Sequence, residues 1–484
     1  MKPGTIVLLW GSCCVPLAET LPLDAALGRL ESGNHSLEAA RARIGTADEI
    51  HKSSLGNFLP VVKLQASAMH LDRDIVMDLD PIRAAILQLQ SGDATRLQNL
   101  STTIQTGTGL TAAQQNAYQE GYYQSLDAKL PHFLDTMSQR NDWGVELVAY
   151  QPLFHGGRIL AGERVAAARR RAAGADLDKQ KGDLRRDFIK HYVQGALLRQ
   201  SIALRTRALE TIQRHREQAW KAVDAGLADR AALLRADLAI SEARTSLSDD
   251  SAKLESVAIT LEQLSGGSES ILPSDSLAPP PLLPGSADSL ERSVALRNPL
   301  LHSLSAQQEV AHRAVAAKEA DFLPEVGLFG KYEFNREAAR SALQPIWVVG
   351  IKGEITLFHG GVDYHQRAAA LSTEREVAAM RGEASSALEA QTKRQILALK
   401  QSRTKWENLS AQSDLARESH RVAESRFQQG QATGLEVVDA WLSQEKAELD
   451  RLSVAGDGWI ALGEILWATG RTGEFSDIWK GALK

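Results

Sequence analysis

Two carboxylates one helical turn apart, Glu436 and Asp439, form the most chemically suggestive pair in this 484-residue sequence. Residues at i and i+3 share a helix face. Such a pair attracts cations and repels itself unless a basic side chain clamps it. The related segment 204 residues earlier has Ala232 and Arg235 at the equivalent places, which makes Arg235 the candidate clamp. Two histidines repeat at the same shift, His155 and His359, each inside an identical Leu-Phe-His-Gly-Gly stretch. Neither has a carboxylate or cysteine at ligand spacing, so both predict structural turns, not a metal centre. The 12 His and 5 Met are unclustered, and no acid, base or nucleophile constellation is readable. The chemistry on offer is electrostatic, with no cofactor and no metal implied.

The elements that must position these residues come in two copies. Phe-Leu-Pro at Phe58 returns at Phe322, a shift of 264 residues, while the Leu-Phe-His-Gly-Gly stretch at Leu153 returns at Leu357, a shift of 204. The smaller shift then holds without a gap: Trp143 meets Trp347, Gly226 meets Gly430, and Leu238 meets Leu442. Self-similarity on this scale means two copies of one supersecondary unit. Within each copy, residues alternate with period 2 over 58–71 and 143–154, and again over 324–334 and 347–358. Val326, Leu328, Gly330 and Tyr332 form one face, while Glu325, Lys331 and Glu333 lie on the other. That alternation predicts strands with one greasy and one wet face, each about the length that crosses a membrane as part of a barrel. Trp143 and Trp347 at the strand ends suit an interfacial aromatic girdle.

Each strand pair is followed by a long helical hairpin. Residues 158–224 and 362–428 contain no proline and span 67 positions each, about 100 Å of helix. Heptad rows such as Ile240, Leu247, Leu254 and Leu261 predict coiled-coil seams between such helices. Gly226 and Gly430 fall where the long helices must stop and reverse. Gly156, Gly157, Gly360 and Gly361 mark the two strand-to-helix turns. Helices over 23–57 and 289–321 complete the two copies.

Composition narrows the class. Net charge is only −5 with no dominant basic patch, which argues against nucleic acid as a partner. No apolar run is long enough for a spanning helix. Residues 1–18 read as an export signal; Cys13 and Cys14 lie inside it, and the alternative is a lipoprotein leader acylated at one of them. The organisation is then repeat 1 over 19–264, a Pro/Ser/Gly linker over 265–288, and repeat 2 over 289–484, with the second hairpin at 362–466. The two shifts differ by 60 residues, which places an insertion between the first two strands at 72–141. It contains a short helix near Asp80 and is otherwise rich in Gln, Thr, Gly and Asn. Barrel loops are long on the outer side, so the insertion is expected outside the cell. The fold class is mixed, mainly α with β. Four strands leave open edges and are too few to close a spanning barrel, so oligomerisation is required.

On these residues the sequence resembles the TolC-like outer-membrane efflux ducts across essentially the whole mature chain. The resemblance rests on the paired Phe-Leu-Pro and Leu-Phe-His-Gly-Gly stretches, Ala-Leu-Arg-Asn-Pro-Leu-Leu at 295–301, and the tips at 225–243 and 429–447. It implies a homotrimer in outer-membrane lipid of a Gram-negative bacterium, with a 12-stranded β-barrel and a 12-helix periplasmic α-barrel. It further implies a passive exit duct for a tripartite efflux or type I secretion system, with an inner-membrane pump and a periplasmic adaptor as partners. The tips, with Gly226, Asp229, Gly430 and Thr433, would meet the adaptor. Glu436, Asp439, Phe427 and Arg235 would form the periplasmic gate, with Asp224, Asp229 or Asp237 as further candidates. Two departures from the family pattern stand near the gate: Ala432 where an Arg is usual, and Phe427 where a Tyr is usual. The rival readings are a coiled-coil scaffold, a periplasmic adaptor subunit, and a secreted enzyme. An adaptor would carry a lipoyl-like module and a single hairpin.

Overall fold

The computed structural model describes residues 19–225, 230–267, 270–334 and 345–483. The expected leader at 1–18 and the tip residues Gly226 and Asp229 lie outside the described residues. In chain order the first half runs β1 (Glu19–Leu21), α1 (Leu23–Gly33), α2 (His35–Gly56), β2 (Val61–His70), β3 (Ile75–Asp78), α3 (Asp80–Thr106), α4 (Ala112–Asp127), β4 (Leu134–Ser138), β5 (Asn141–His155), α5 (Arg158–Asp224) and α6 (Arg230–Ser265). The second half runs β6 (Ile271–Pro273), α7 (Ala287–Arg297), α8 (Pro299–Glu319), β7 (Glu325–Glu333), β8 (Trp347–Glu354), α9 (Val362–Gln428), α10 (Gly434–Ala468) and α11 (Phe475–Leu483). The chain divides into two compact units: one of Met1–Ser54, Leu160–Glu319 and Gly361–Lys484, the other of Leu55–Ile159 and Ala320–Gly360.

The smaller unit holds an antiparallel sheet of order β2-β5-β7-β8. Its register puts the apolar alternation on one face. Leu64 pairs with Leu147, Leu147 with Tyr332, and Tyr332 with Trp347; Ala149 pairs with Gly330, and Gly330 with Val349. This face has nothing to bury it among the described residues: Leu64 is 67% exposed and Ile351 70%. The other face carries Lys63, Gln65, Lys331 and Glu146, the last two joined in an ion pair. β2 and β8 are the edges of the sheet. β8 stops at Glu354, short of the expected 358, so Ile355 and Leu357 lie beyond the ladder.

The 72–141 insertion is far more regular than its composition predicts. The expected short helix runs for 27 residues as α3, and α4 adds 16 more. An antiparallel ribbon, β3 with β4, closes them. Arg83 pins the hairpin, with Nη2 donating to Asp127 O at 2.8 Å and Leu130 O at 2.7 Å. A Thr111–Gln114 capping box starts α4.

The larger unit is helical. α5 and α9 are 67 residues each, at the expected limits. Of the α6 heptad row, Ile240 and Leu261 are buried, while Leu247 and Leu254 are half-buried. The core gathers Phe188, Tyr192, Trp459, Phe475 and Trp479. The expected continuous helices over 23–57 and 289–321 are each broken once, at Asn34 and Asn298. The two breaks are one device used twice. Asn34 Oδ1 accepts from Ser36 N–H and Leu37 N–H, and its Nδ2 donates to Leu264 O at 2.7 Å. Asn298 Oδ1 accepts from Leu300 N–H and Leu301 N–H, and its Nδ2 donates to Ala468 O at 2.9 Å. The partners are separated by the same two shifts that relate the copies. Each crossing is also close: a Cβ on Gly266 would sit 2.2 Å from Gly33 O, and one on Gly470 would sit 2.2 Å from Arg297 O.

The 265–288 linker is built into this core. β6 pairs in parallel with β1. Asp275 Oδ2 accepts from Leu23 N–H, Tyr192 Oη and Trp479 Nε1, and Ala278 O accepts from Trp459 Nε1. Pro and Ser content signals absence of helix, not exposure. No helix among the described residues is long and apolar enough to cross a membrane.

Candidate functional site

The second tip is fully described and is built from two caps. α9 ends in a Schellman motif: Gly430 adopts φ 71°, Gln431 N–H donates to Arg426 O at 2.8 Å, and Gly430 N–H to Phe427 O at 2.9 Å. Two residues on, Thr433 caps α10. Its hydroxyl accepts from Glu436 N–H at 3.3 Å, while the Glu436 carboxylate accepts from Thr433 N–H at 3.3 Å and from its hydroxyl at 3.1 Å.

That capping box gives Glu436 a local role. Its carboxylate closes the first turn of α10, where it also meets the positive end of the helix dipole. The signal was in the sequence, because Thr433 precedes Glu436 by the three residues a capping box requires. Asp439 is exposed, and its carboxylate has no partner among the described residues, which leaves it available. Arg235 is likewise exposed and makes no bridge to Glu436 or Asp439. The ion pair that ties the first hairpin near its tip is instead Arg216 with Asp237, at 2.8 Å.

Phe427 is half-buried and packs edge-on to His215 of α5, with ring centroids 6.0 Å apart. His215 is 7% exposed, its Nε2 lies 3.6 Å from Glu424, and its Nδ1 lies 3.1 Å from Gln218 Oε1. Burial holds the imidazole below its ordinary pKa, with Glu424 opposing. The first hairpin thus reaches the second through His215. Deeper in the hairpins Arg205 lies 2.8 Å from Asp250 and 3.8 Å from Glu445. Burial would raise Asp250, but Ser201 and Arg205 hold it below the usual carboxylate range. Glu445 is pushed up by burial, with Arg205 opposing. Neither His215 nor this layer stood out in the sequence, because each partner lies on a different helix.

The two strand-to-helix turns repeat in conformation as well as in letters. Gly156 and Gly157 have φ 57° and 79°, and Gly360 and Gly361 have φ 60° and 80°. His155 has a carboxylate neighbour that sequence spacing does not supply. Its Nδ1 lies 3.1 Å from Glu325, and Arg158 lies 2.9 Å from the same carboxylate. The strand that supplies Glu325 is 170 residues away, beyond the reach of a spacing argument. No cluster of three or more potential metal ligands occurs among the described residues.

A model of the family described as "Outer membrane efflux protein" matches residues 26–267 and 291–471. The chain belongs to this family. The gap between the two matched stretches falls in the linker that separates the copies. Membership makes this an outer-membrane protein that extends into the periplasm, in a family of efflux channels. No curated protein matches. Among solved structures, the outer-membrane channel OprN is 18% identical, with 93% of this chain and 89% of that one covered at a TM-score of 0.68. CusC is 13% identical, covering 94% and 93% at 0.70. VceC from Vibrio cholerae is 15% identical, covering 93% and 96% at 0.67. At these identities the likeness speaks for the fold alone, mainly helical with some sheet.

Proposed function

We propose that three copies of this chain form the exit duct of a tripartite efflux or type I secretion system. The observation that carries the reading is the four-stranded sheet of the smaller unit. It has two unpaired edges and an unburied apolar face, a combination that water penalises and a lipid-embedded closed barrel satisfies. Three such sheets give a 12-stranded barrel, within the range of spanning barrels. Threefold repetition of two 67-residue hairpin helices and their return helices gives a 12-helix tunnel. Transport through the duct is passive. An inner-membrane pump supplies the energy, and a periplasmic adaptor docks on the tips that carry Gly226, Asp229, Gly430 and Thr433. The strand-to-helix turns at Gly156, Gly157, Gly360 and Gly361 make the passage from barrel to tunnel. Asp439 from each copy lines the entrance, while Phe427, packed on His215, and Arg235 flank it.

The mass of the protein–detergent particle tests this directly. A trimer is expected, and a monomer or dimer would end the 12-stranded arrangement.

A further inference from the structure

Helix α3 of the insertion is two-faced, and its more apolar side is uncovered. Arg83, Leu87, Ser91 and Thr95, spaced by four, are its buried residues and define the side turned to α4. Away from them, Ile82, Ile86, Leu89, Leu97, Leu100 and Ile104 fall within about 80° of arc at the helical repeat. Five of the six are 57–76% exposed, and Ile86 is half-buried. With Asp93 the steps along this stripe are four, three, four, four, three and four, the spacing of a helix–helix seam.

Three observations say what covers the stripe. Apart from Asp80, Pro81 and the buried Leu87, the rest of α3 is Gln, Ser, Thr, Asn and small residues, with Arg83 and Arg96 its only basic side chains and Arg83 buried. A helix lying on a lipid surface needs a strongly charged, basic polar face, which α3 lacks. The stripe has one charged layer, Asp93 with Arg96 at 3.4 Å, and both are exposed. A single polar layer in an apolar seam fixes register and copy number, and Asp93 of one copy can meet Arg96 of the next. Finally, the insertion is carried by an edge strand. The β2–β5 ladder runs through His70 and Asn141, Leu71 N–H donates to Arg140 O at 2.7 Å, and the β3–β4 ribbon follows. β2 is an edge that a neighbouring copy must fill.

We propose that the apolar stripe of α3 is an assembly surface that packs on the inserted segment of a second copy of this chain, so that three insertions close a helical collar. This rests on the trimeric reading above. Closed rings pair one surface with a different one on the next copy, which suits a two-faced hairpin.

The test uses the full chain in lipid nanodiscs, with Leu100→Cys on the stripe and Gln98→Cys, which lies well away from it, as the control. The parent, whose only cysteines are Cys13 and Cys14, gives the background. Leu100→Cys should cross-link between copies with a short bismaleimide and should react with a charged maleimide about tenfold more slowly than Gln98→Cys. Leu97→Cys repeats the measurement should Leu100→Cys fail to assemble. Trimeric mass with equal labelling at both positions would overturn the collar and leave the duct standing. Slow labelling without cross-linking, together with quenching of a bimane at position 100 by brominated acyl chains, would overturn it in favour of lipid. A monomeric mass would overturn both readings.

Discussion

The helix joints and the hairpin tips treat the internal repeat in opposite ways. At the joints the two copies agree atom for atom. Asn34 and Asn298 each cap a helix with the side-chain oxygen and tie off the last carbonyls of a return helix with the side-chain amide. A glycine follows each of those return helices, and its missing Cβ lets the chains cross. At the tips the agreement ends. Ala232 and Arg235 stand where Glu436 and Asp439 stand. A joint is dictated by backbone geometry, which both copies must satisfy in the same way. A tip ends a helical pair, and each copy can spend its side chains there on something other than packing.

The comparison breaks first at the joints. Asn298 is fully buried, whereas Asn34 keeps slight exposure. Asn298→Ala removes an N-cap worth about 1 kcal/mol and orphans a buried carbonyl, Ala468 O, at a further cost of about 1–3 kcal/mol. Asn34→Ala should cost less, because water can reach part of its site. Heat resistance of the assembled protein should fall for both, and more for Asn298→Ala. Equal resistance to the parent for Asn298→Ala would show that the joints are not held this way.

A smaller effect should appear near the second tip. His215 has its pKa lowered by burial. The unfolded chain therefore binds a proton at a pH where the folded one does not. The stability it lends is present above the unfolded value, about 6.5, and is lost as pH falls through the folded value. Glu424 and Gln218 oppose the shift, while Arg214 and His420 add to it, and the window opens at the unfolded value and extends to lower pH. His215→Gln keeps a polar group beside Gln218 but removes the titration. The parent should lose heat resistance on acidification more steeply than the variant, and parallel pH profiles would rule His215 out.

Much of this could be read from the sequence, and the misses share a cause. Period-2 alternation placed four strands within a few residues, and proline-free stretches placed α5 and α9 at their limits. Such signals are local and repeat along one element. Asn34 escaped because the apolar pattern runs straight through it, while Asn298 carried a local signal in the Pro299 that follows; what each amide holds shows only in the carbonyls reached 230 and 170 residues away. The insertion escaped because its Gln and Thr content masked two opposed stripes on α3. His155 has no carboxylate at ligand spacing, and its neighbour Glu325 lies on another strand. Glu436 is the instructive case: the same three-residue spacing fits a pair with Asp439 and a capping box with Thr433. The capping box prevails because it satisfies two backbone N–H groups that water would otherwise have to reach.

That outcome sharpens the smallest prediction, at the tip itself. If the entrance draws cations through carboxylates, Asp439 carries the effect and Glu436 does not. Asp439→Asn should reduce the cation preference of the reconstituted duct. Glu436→Gln should leave selectivity unchanged, because glutamine retains the cap and the glutamate charge is spent on the helix terminus. The influence of Asp439 depends on threefold proximity, where the narrow passage keeps salt screening weak. Arg235→Ala should then move selectivity the other way or raise basal conductance, since its exposed guanidinium is the basic group at the position equivalent to Asp439. Planar-bilayer recordings at two salt concentrations separate these outcomes. A Glu436→Gln duct that loses selectivity while Asp439→Asn retains it would return the gate to the residue the cap was thought to occupy, and would mean that the capping box opens when three copies meet.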